Sequence, residues 1–335
     1  MSRAWTLGTR AVLAAALLVV CLVPVLFSTF FTSAVALTTL WLGLCAVSLT
    51  FLSGSGGMVS LTQTALFGVA GLISAKLTVE LGWNGWTAAL VGIGAAFLVG
   101  LVFGAVASGS LGIYFLMITL AFAEITYYYF AAVPTFGAHE GINEFRPPAP
   151  LGDPVLHPAR MYYFTLAVCA LVYLFLRYLS GTAFGLALQG VRDDPVRMAA
   201  LGFNARAHRT LAFALAAAIA GAAGVLSAWS NTRISADSVS LTVAILVLTA
   251  AVIGGLSRLE GAWVGAFVYT VLDTYARGWS DRFATWLGVI FLAIVLLSPG
   301  GLVGVLSWLA GRARAWLASR APAALSTTTA EGSPR

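Results

Sequence analysis

Charged side chains (Asp, Glu, Lys and Arg) make up only 9% of this 335-residue chain, while 60% of it is hydrophobic. Ordinary soluble domains carry about 25% charged residues, so a water-facing globular surface is excluded. With a mean hydropathy of +0.94 the composition is that of a membrane protein. Lysine occurs once, at Lys76, and Ala75 precedes it. The phosphate-cradling pattern of Gly, four residues, Gly-Lys-Ser/Thr is therefore absent. Cys21, Cys45 and Cys169 all lie in apolar runs, where a thiol behaves as a small hydrophobe, and no disulfide is expected. His139, His157 and His208 are too dispersed for a metal-ligand set, and no Ser/His/Asp cluster stands out. No catalytic, cofactor-binding or metal-binding residues are expected. The net charge of +6 comes mostly from arginines at the ends of apolar runs, the pattern of membrane anchoring and not of nucleic-acid binding.

What is present is long apolar sequence. No Asp, Glu, Lys or Arg lies between Arg10 and Lys76, between Glu80 and Glu124, or between Arg282 and Arg312. Each gap holds at least one span of about 20 residues. Lipid offers backbone groups no partner, so spans are helices or closed barrels, and continuous apolar runs exclude the barrel. The runs predict spans near 11–31, 34–52, 60–81, 86–107, 113–130, 161–179, 211–229, 240–255, 261–275 and 283–298. The fold class expected is all-α, a polytopic membrane helix bundle of about ten transmembrane segments within residues 1–320. Arg3 and Arg10 before the first run, and Arg312, Arg314 and Arg320 after the last, place both termini in the cytoplasm. The first run is longer than a signal-peptide core and reads as an uncleaved anchor, with Pro24 as a kink. Residues 321–335 read as a disordered tail, and Ala131–Arg160, with six prolines, as an irregular outer connection.

The charged stretch Gly181–Thr210 interrupts this pattern. Asp194 accepts from the free N–H groups of a helix start, Pro195 fits the first helical position, and Gly202 offers a left-handed stop after Leu201. The result is a helix of about two turns, with Val196, Ala199 and Ala200 on a small apolar face and Arg192, Asp193, Asp194 and Arg197 solvated. Arg177, Arg192, Arg197, Arg206 and Arg209 put the connection, 180–209, on the cytoplasmic side. Such a helix suits docking to a partner or lying on the membrane surface.

Ser53-Gly54-Ser55-Gly56-Gly57 has too little helix propensity to continue the second span smoothly. It is either a cytoplasmic turn or a discontinuous helix whose backbone lines a path. Gly254-Gly255 followed by Arg258-Leu259 faintly echoes Gly56-Gly57 followed by Ser60-Leu61, as an internal duplication would. Glu124 is a carboxylate within an apolar run. It faces the bundle interior, a cavity or a partner, or it anchors near an interface beside Tyr127, Tyr128 and Tyr129. Asp273, one turn from Arg277, reads as interfacial. A proton-coupled carrier with Glu124 or Asp273 titrating is the alternative from another class.

SLTQTALFGVAG at Ser60–Gly71, LGIYFLMITLAFAEI at Leu111–Ile125, FGLALQGVRDDPVRMAALGFN at Phe184–Asn204, VIGGLSRLEGAWVGA at Val252–Ala266 and PGGLVG at Pro299–Gly304 occur in that order. The series resembles the permease family of ABC importers for branched-chain amino acids, specifically the second of the two permease subunits such systems carry. The resemblance implies a subunit that forms the translocation path for branched-chain or related amino acids in a bacterial-type plasma (inner) membrane. Closely similar permeases take urea or short amides. The implied partners are two ABC ATPase subunits, a second homologous permease subunit and a periplasmic or lipid-anchored substrate-binding protein, with membrane lipid around them and ATP hydrolysis left to the ATPases. Arg192, Asp193, Asp194, Pro195, Arg197, Ala199, Leu201 and Gly202 fall in the family's coupling segment. Path candidates are Ser55, Gly56, Gly57, Ser60, Gln63, Thr119, Glu124, Gly254 and Gly255. The chain departs from the family pattern at Thr62, where Gly is usual, and at Thr135–Gly141, which loses a glycine and gains His139 and Glu140. After Gly255 it carries Arg258 and Glu260 in place of small or apolar residues.

Overall fold

The computed structural model describes residues 22–276, apart from 25, 111, 138, 139 and 155, together with 285, 288, 289, 292, 301, 302 and 304. Its helices are α1 (Phe31–Gly56, opening on a π-helical stretch over Phe31–Leu37), α2 (Gln63–Val79), α3 (Gly85–Ala107), α4 (Ile113–Ala132) and α5 (Pro158–Gly181). After these come α6 (Ala183–Asp193), α7 (Pro195–Ala200), α8 (Ala205–Asn231), α9 (Leu241–Gly254) and α10 (Leu259–Ala276). A short antiparallel ribbon pairs β1 (Ile142–Asn143) with β2 (Arg233–Ile234).

Five of these helices, α1, α3, α4, α5 and α8, are long and apolar enough to cross a membrane. The apolar runs at 240–255 and 261–275 predict two further spans, but α9 and α10 form one broken pair in which the chain turns through 117°. At about 1.5 Å per residue α9 is about 21 Å long, short of a hydrocarbon core of about 30 Å. The described residues thus hold five crossing helices, or six with the bent pair, where about ten are expected for the whole chain. The 17-residue α2 is shorter than these. Most of the expected span at 11–31 and nearly all of that at 283–298 lie outside the described residues, as does Arg277.

Two boundaries differ from expectation. Helix α1 continues through Ser53-Gly54-Ser55 to Gly56, so the break falls at 57–62. A long-range contact offsets the weak propensity: Ser53 Oγ donates to the Leu256 carbonyl at 3.0 Å, at the α9–α10 turn. Helix α5 begins at Pro158, inside what reads as the outer connection, because a proline at the first position forfeits no helical hydrogen bond.

The core is built on close backbone approach. Helix α3 turns Gly85, Ala88, Ala89, Gly92, Ala96, Gly100, Gly104 and Ala107 inward, and α8 buries Ala212, Ala216, Ala217, Ala220, Gly221, Ala223 and Gly224. A Cβ added at Gly224 would lie 2.0 Å from the Phe67 carbonyl oxygen of α2. Small residues are what allow membrane helices this proximity, since no hydrophobic driving force separates lipid from protein there. On the other side of α1, α10 lies against it, with Trp263 over Gly43.

The two ends of the bundle differ. At one, the ribbon is joined by the Phe145 N–H donating to the Thr232 carbonyl at 3.1 Å. Trp86, Phe145, Phe164 and Trp229 cluster there, and Lys76 Nζ stands 4.6 Å from the Phe136 ring centre. At the other end lie α6, α7, the close of α1 and the α9–α10 turn.

Candidate coupling and translocation site

Three helix starts follow in quick succession, each capped by its own side chain. The Thr182 hydroxyl accepts from Gly185 N–H at 3.5 Å, Asp194 Oδ1 from Val196 N–H at 3.1 Å and Arg197 N–H at 2.9 Å, and Asn204 Oδ1 from Ala207 N–H at 3.1 Å. Capping satisfies N–H groups that a helix start leaves orphaned. Helix α7 is therefore ordered by local chemistry, as Asp194 and Pro195 predict. Its stop also falls where expected, with Gly202 at φ 89°. None of its residues is buried. Val196 is 79% exposed and Leu201 67%, with Ala199 and Ala200 exposed beside them. Met198 is the residue that fastens α7 to α6, over Gly190, a contact the sequence reading missed. Arg197 Nε stays 3.5 Å from Asp194 Oδ2.

Arg192 does more than remain solvated. Its Nε and Nη2 each lie 2.8 Å from Asp193 Oδ1, and its Nη1 donates to the Gly54 carbonyl near the end of α1. The last carbonyls of a helix lack intrahelical partners and sit at the negative end of the helix dipole, so a guanidinium is well matched to them. Helix α1 closes with Gly57 at φ 66°, its N–H on Ser53 O at 3.1 Å and Met58 N–H on Leu52 O at 3.1 Å, a left-handed cap that glycine adopts without strain.

Beyond that cap the chain turns back into the bundle before α2 begins. Ser48 Oγ donates to Gln63 Oε1 at 3.1 Å, and Ser48 lies eight residues before Gly56, about 12 Å along α1. The returning segment is fixed to the middle of α4. Thr62 Oγ1 donates to the Thr119 carbonyl at 2.8 Å, and Leu61 N–H donates to Thr119 Oγ1 at 3.3 Å. Ser60, Gln63 and Thr119 are thus brought together and buried, leaving Gln63 Nε2 without a hydrogen-bond partner among the described residues.

The second break meets the end of α1. Gly254 and Gly255 are buried, Gly255 at φ 109°, Ser53 Oγ donates to the Leu256 carbonyl just beyond them, and a Cβ added at Gly54 would lie 3.2 Å from the same oxygen. Glu260, one of the departures noted above, accepts from Tyr173 Oη at 2.6 Å and pairs with Arg177 at 3.4 Å, tying the start of α10 to α5. Neither Tyr173 nor Ser53 stands out as functional in sequence, because each partner is distant along the chain. Arg258 is exposed at the α9–α10 turn.

Ser55 is half-buried and Gly56 buried at the close of α1, with Gly57 exposed. Glu124 stands apart from this group. It lies five residues beyond Thr119, about 140° around α4, half-buried and with no hydrogen bond or ion pair among the described residues. Asp273 accepts from Tyr269 Oη at 3.4 Å. Of the altered outer motif, Glu140 is exposed and His139 lies outside the described residues.

A bundle of membrane-crossing helices with two glycine breaks and a capped, exposed connecting helix defines a polytopic helical membrane protein. The chain belongs to the family described as branched-chain amino acid transport system, permease component, which matches residues 31–298. Among curated proteins it is 25% identical over 45% of its length to the Escherichia coli high-affinity branched-chain amino acid transport system permease protein LivM, covering 36% of that protein. It is 23% identical over 75% of its length to Salmonella typhimurium LivM, covering 64% of it. The probable branched-chain amino acid transport permease protein LivH of Methanocaldococcus jannaschii is 29% identical over 37% of this chain and 42% of its own. The matches therefore span less than two thirds of each of these relatives. No solved structure matches the chain.

Proposed function

We propose that this chain is a permease subunit of an ATP-driven importer and forms part of the translocation path for branched-chain or related amino acids. Of the importer's two ATPase subunits one docks on α7 from the cytoplasm, a second permease subunit stands beside this one, and a substrate-binding protein delivers cargo to the ribbon end. Both termini lie in the cytoplasm of a plasma (inner) membrane. The observation that carries the reading is the link from α7 to the breaks. An exposed apolar patch of Val196, Ala199 and Leu201 is joined through Asp193 and Arg192 to Gly54, and from Ser53 to Leu256.

In this mechanism the ATPases carry the chemistry, and the chain converts their closure into movement. A push on α7 passes through Arg192 to the end of α1, where both broken helices meet. Ser55, Gly56, Gly57, Gly254 and Gly255 lie at that meeting point, and Ser60 and Gln63 lie on the segment that returns from it into the bundle. The interruptions at 57–62 and 255–258 lack the continuous helical ladder that would resist rearrangement, and breaks of this kind are where transporters place their paths.

The test is uptake of a labelled aliphatic amino acid into vesicles holding the assembled importer. Arg192→Glu, or deletion of Asp194–Gly202, is expected to abolish uptake while the bundle remains folded by circular dichroism. Full uptake by the deletion variant would overturn the role given to α7.

A further inference from the structure

Helices α3, α6, α7 and α8 start on a capping side chain, but α2 starts without one. The residue at its cap position, Thr62, instead donates its hydroxyl to the Thr119 carbonyl. The N–H groups of the first turn, which have no intrahelical partner, are left uncapped. This turn is not at the rim of the bundle. It is bonded to Ser48, about 12 Å along α1 from Gly56, and to Thr119, about 9 Å along α4 from its first residue.

Two side chains of the same turn are also unpaired. Gln63 and Thr64 are each 1% exposed, and neither Gln63 Nε2 nor Thr64 Oγ1 has a hydrogen-bond partner among the described residues. Gln63 Oε1 is occupied by the Ser48 hydroxyl, so what remains free on that side chain is the donating NH2. Buried donors without acceptors are costly and call for an acceptor from elsewhere. Neither α1 nor this turn can supply a carboxylate, since no Asp or Glu lies between Arg10 and Lys76. The helix dipole adds partial positive charge at the same place, so the turn suits an anion and disfavours a cation. Broken helices of transporters direct this end at anionic groups of their cargo.

We propose that the first turn of α2 binds the carboxylate of the transported amino acid, with Gln63 Nε2, the Thr64 hydroxyl and the uncapped N–H groups as donors. The proposal rests on the permease reading above and narrows it. Urea and short neutral amides have no carboxylate, so the site separates amino acids from that class of cargo. Hydrogen bonds to an ionised acceptor are shorter and stronger than neutral ones, the more so in a turn shielded from water. Every donor is buried, so the site opens only when the turn or its surroundings move. The segment at 57–62 leads directly into the turn, and the Arg192 side chain packs on Gly57 at its start. Movement relayed from α7 through Arg192 therefore reaches the donors.

The test uses the importer assembled from its permeases and ATPases in nanodiscs, without the binding protein, and reads equilibrium binding of labelled leucine. 4-Methylpentanoate, which keeps the carboxylate and lacks the ammonium, is expected to displace leucine, and leucinamide, which lacks the carboxylate, is not. Gln63→Leu is expected to weaken leucine binding about tenfold or more and Thr64→Val about threefold, with Gln63→Asn regaining part of the loss and equal amounts of assembled complex recovered from all. Should Gln63→Leu fail to assemble, the isosteric Thr64→Val and the two competitors decide. Displacement by leucinamide as effective as by 4-methylpentanoate, or undiminished binding by the variants, would overturn the site. So would absence of saturable binding by an unaltered importer that still takes up leucine in vesicles. Absence of that uptake would overturn the permease reading, and the carboxylate site with it.

Discussion

The α2–α3–α8 trio and the end of the bundle around α7 are held together by opposite means. In the trio, helices meet at backbone distance over Gly100, Gly221 and Gly224, with almost no polar contact to exchange for another. Around α7, helix ends are joined by single polar links: Arg192 to Gly54, Ser53 to Leu256, and Tyr173 with Arg177 to Glu260. Close packing has one good arrangement, because a shift of a fraction of an ångström forfeits many small attractions at once. A hydrogen bond on the half-exposed rim of a bundle can be traded for one to water at little net cost. The trio is therefore the frame, and the α7 end is the part able to move against it.

The strongest way to break this comparison is to disturb the frame. Gly224→Leu forces a side chain into the Phe67 carbonyl, and a backbone atom cannot swing aside as a flexible side chain would. Overpacking ordinarily costs about 1–3 kcal/mol, and this substitution is expected at or above the upper end. The checks are the yield of monodisperse protein in detergent and its thermal midpoint. A variant as stable as the parent would mean that the trio is not the rigid element.

A smaller effect is expected at Glu260. Tyr173→Phe removes a 2.6 Å hydrogen bond and Arg177→Gln a 3.4 Å ion pair. The ion-pair side chains are 68% and 45% exposed, so solvent screens their attraction and the pair contributes no more than about 0.5 kcal/mol. The hydroxyl contributes about 1 kcal/mol. Thermal midpoints at low and high salt separate the two. The Arg177→Gln effect should vanish in salt, and the Tyr173→Phe effect should persist.

The same division governs what the sequence made legible. Local chemistry was readable: Asp194, Pro195 and Gly202 mark α7 because caps and stops act within a turn. The apolar runs located α1, α3, α4, α5 and α8 because a crossing helix announces itself by length. The bent pair was not readable, since two apolar runs look alike whether they cross singly or fold back together. The rim contacts were hidden as well. Ser53 and Leu256 are 203 residues apart and Tyr173 and Glu260 are 87 apart, and no local pattern marks such partners. The position of the first break slid from Ser53 to Gly57 for the same reason, because a long-range contact held three low-propensity residues in helix.

The finest division lies within the α7 end itself, between one linkage and two independent ones. Arg192 holds Gly54 and Ser53 holds Leu256, and these α1 residues are adjacent. Each contact alone is worth about 0.5–1.5 kcal/mol, so Ser53→Ala and Arg192→Gln should each lower the thermal midpoint only slightly. Their combination is more informative. If the end of α1 transmits the push as a unit, loosening it from one side already releases the other, and the double variant should cost less than the sum of the singles by more than about 0.5 kcal/mol. Ser53→Ala leaves the Leu256 carbonyl free to take water at the half-exposed rim, so its own penalty should stay at the low end of the range. Costs that simply add, within about 0.3–0.5 kcal/mol, would show that Arg192 and Ser53 act on separate elements. The path from α7 would then stop at α1, without reaching the α9–α10 turn.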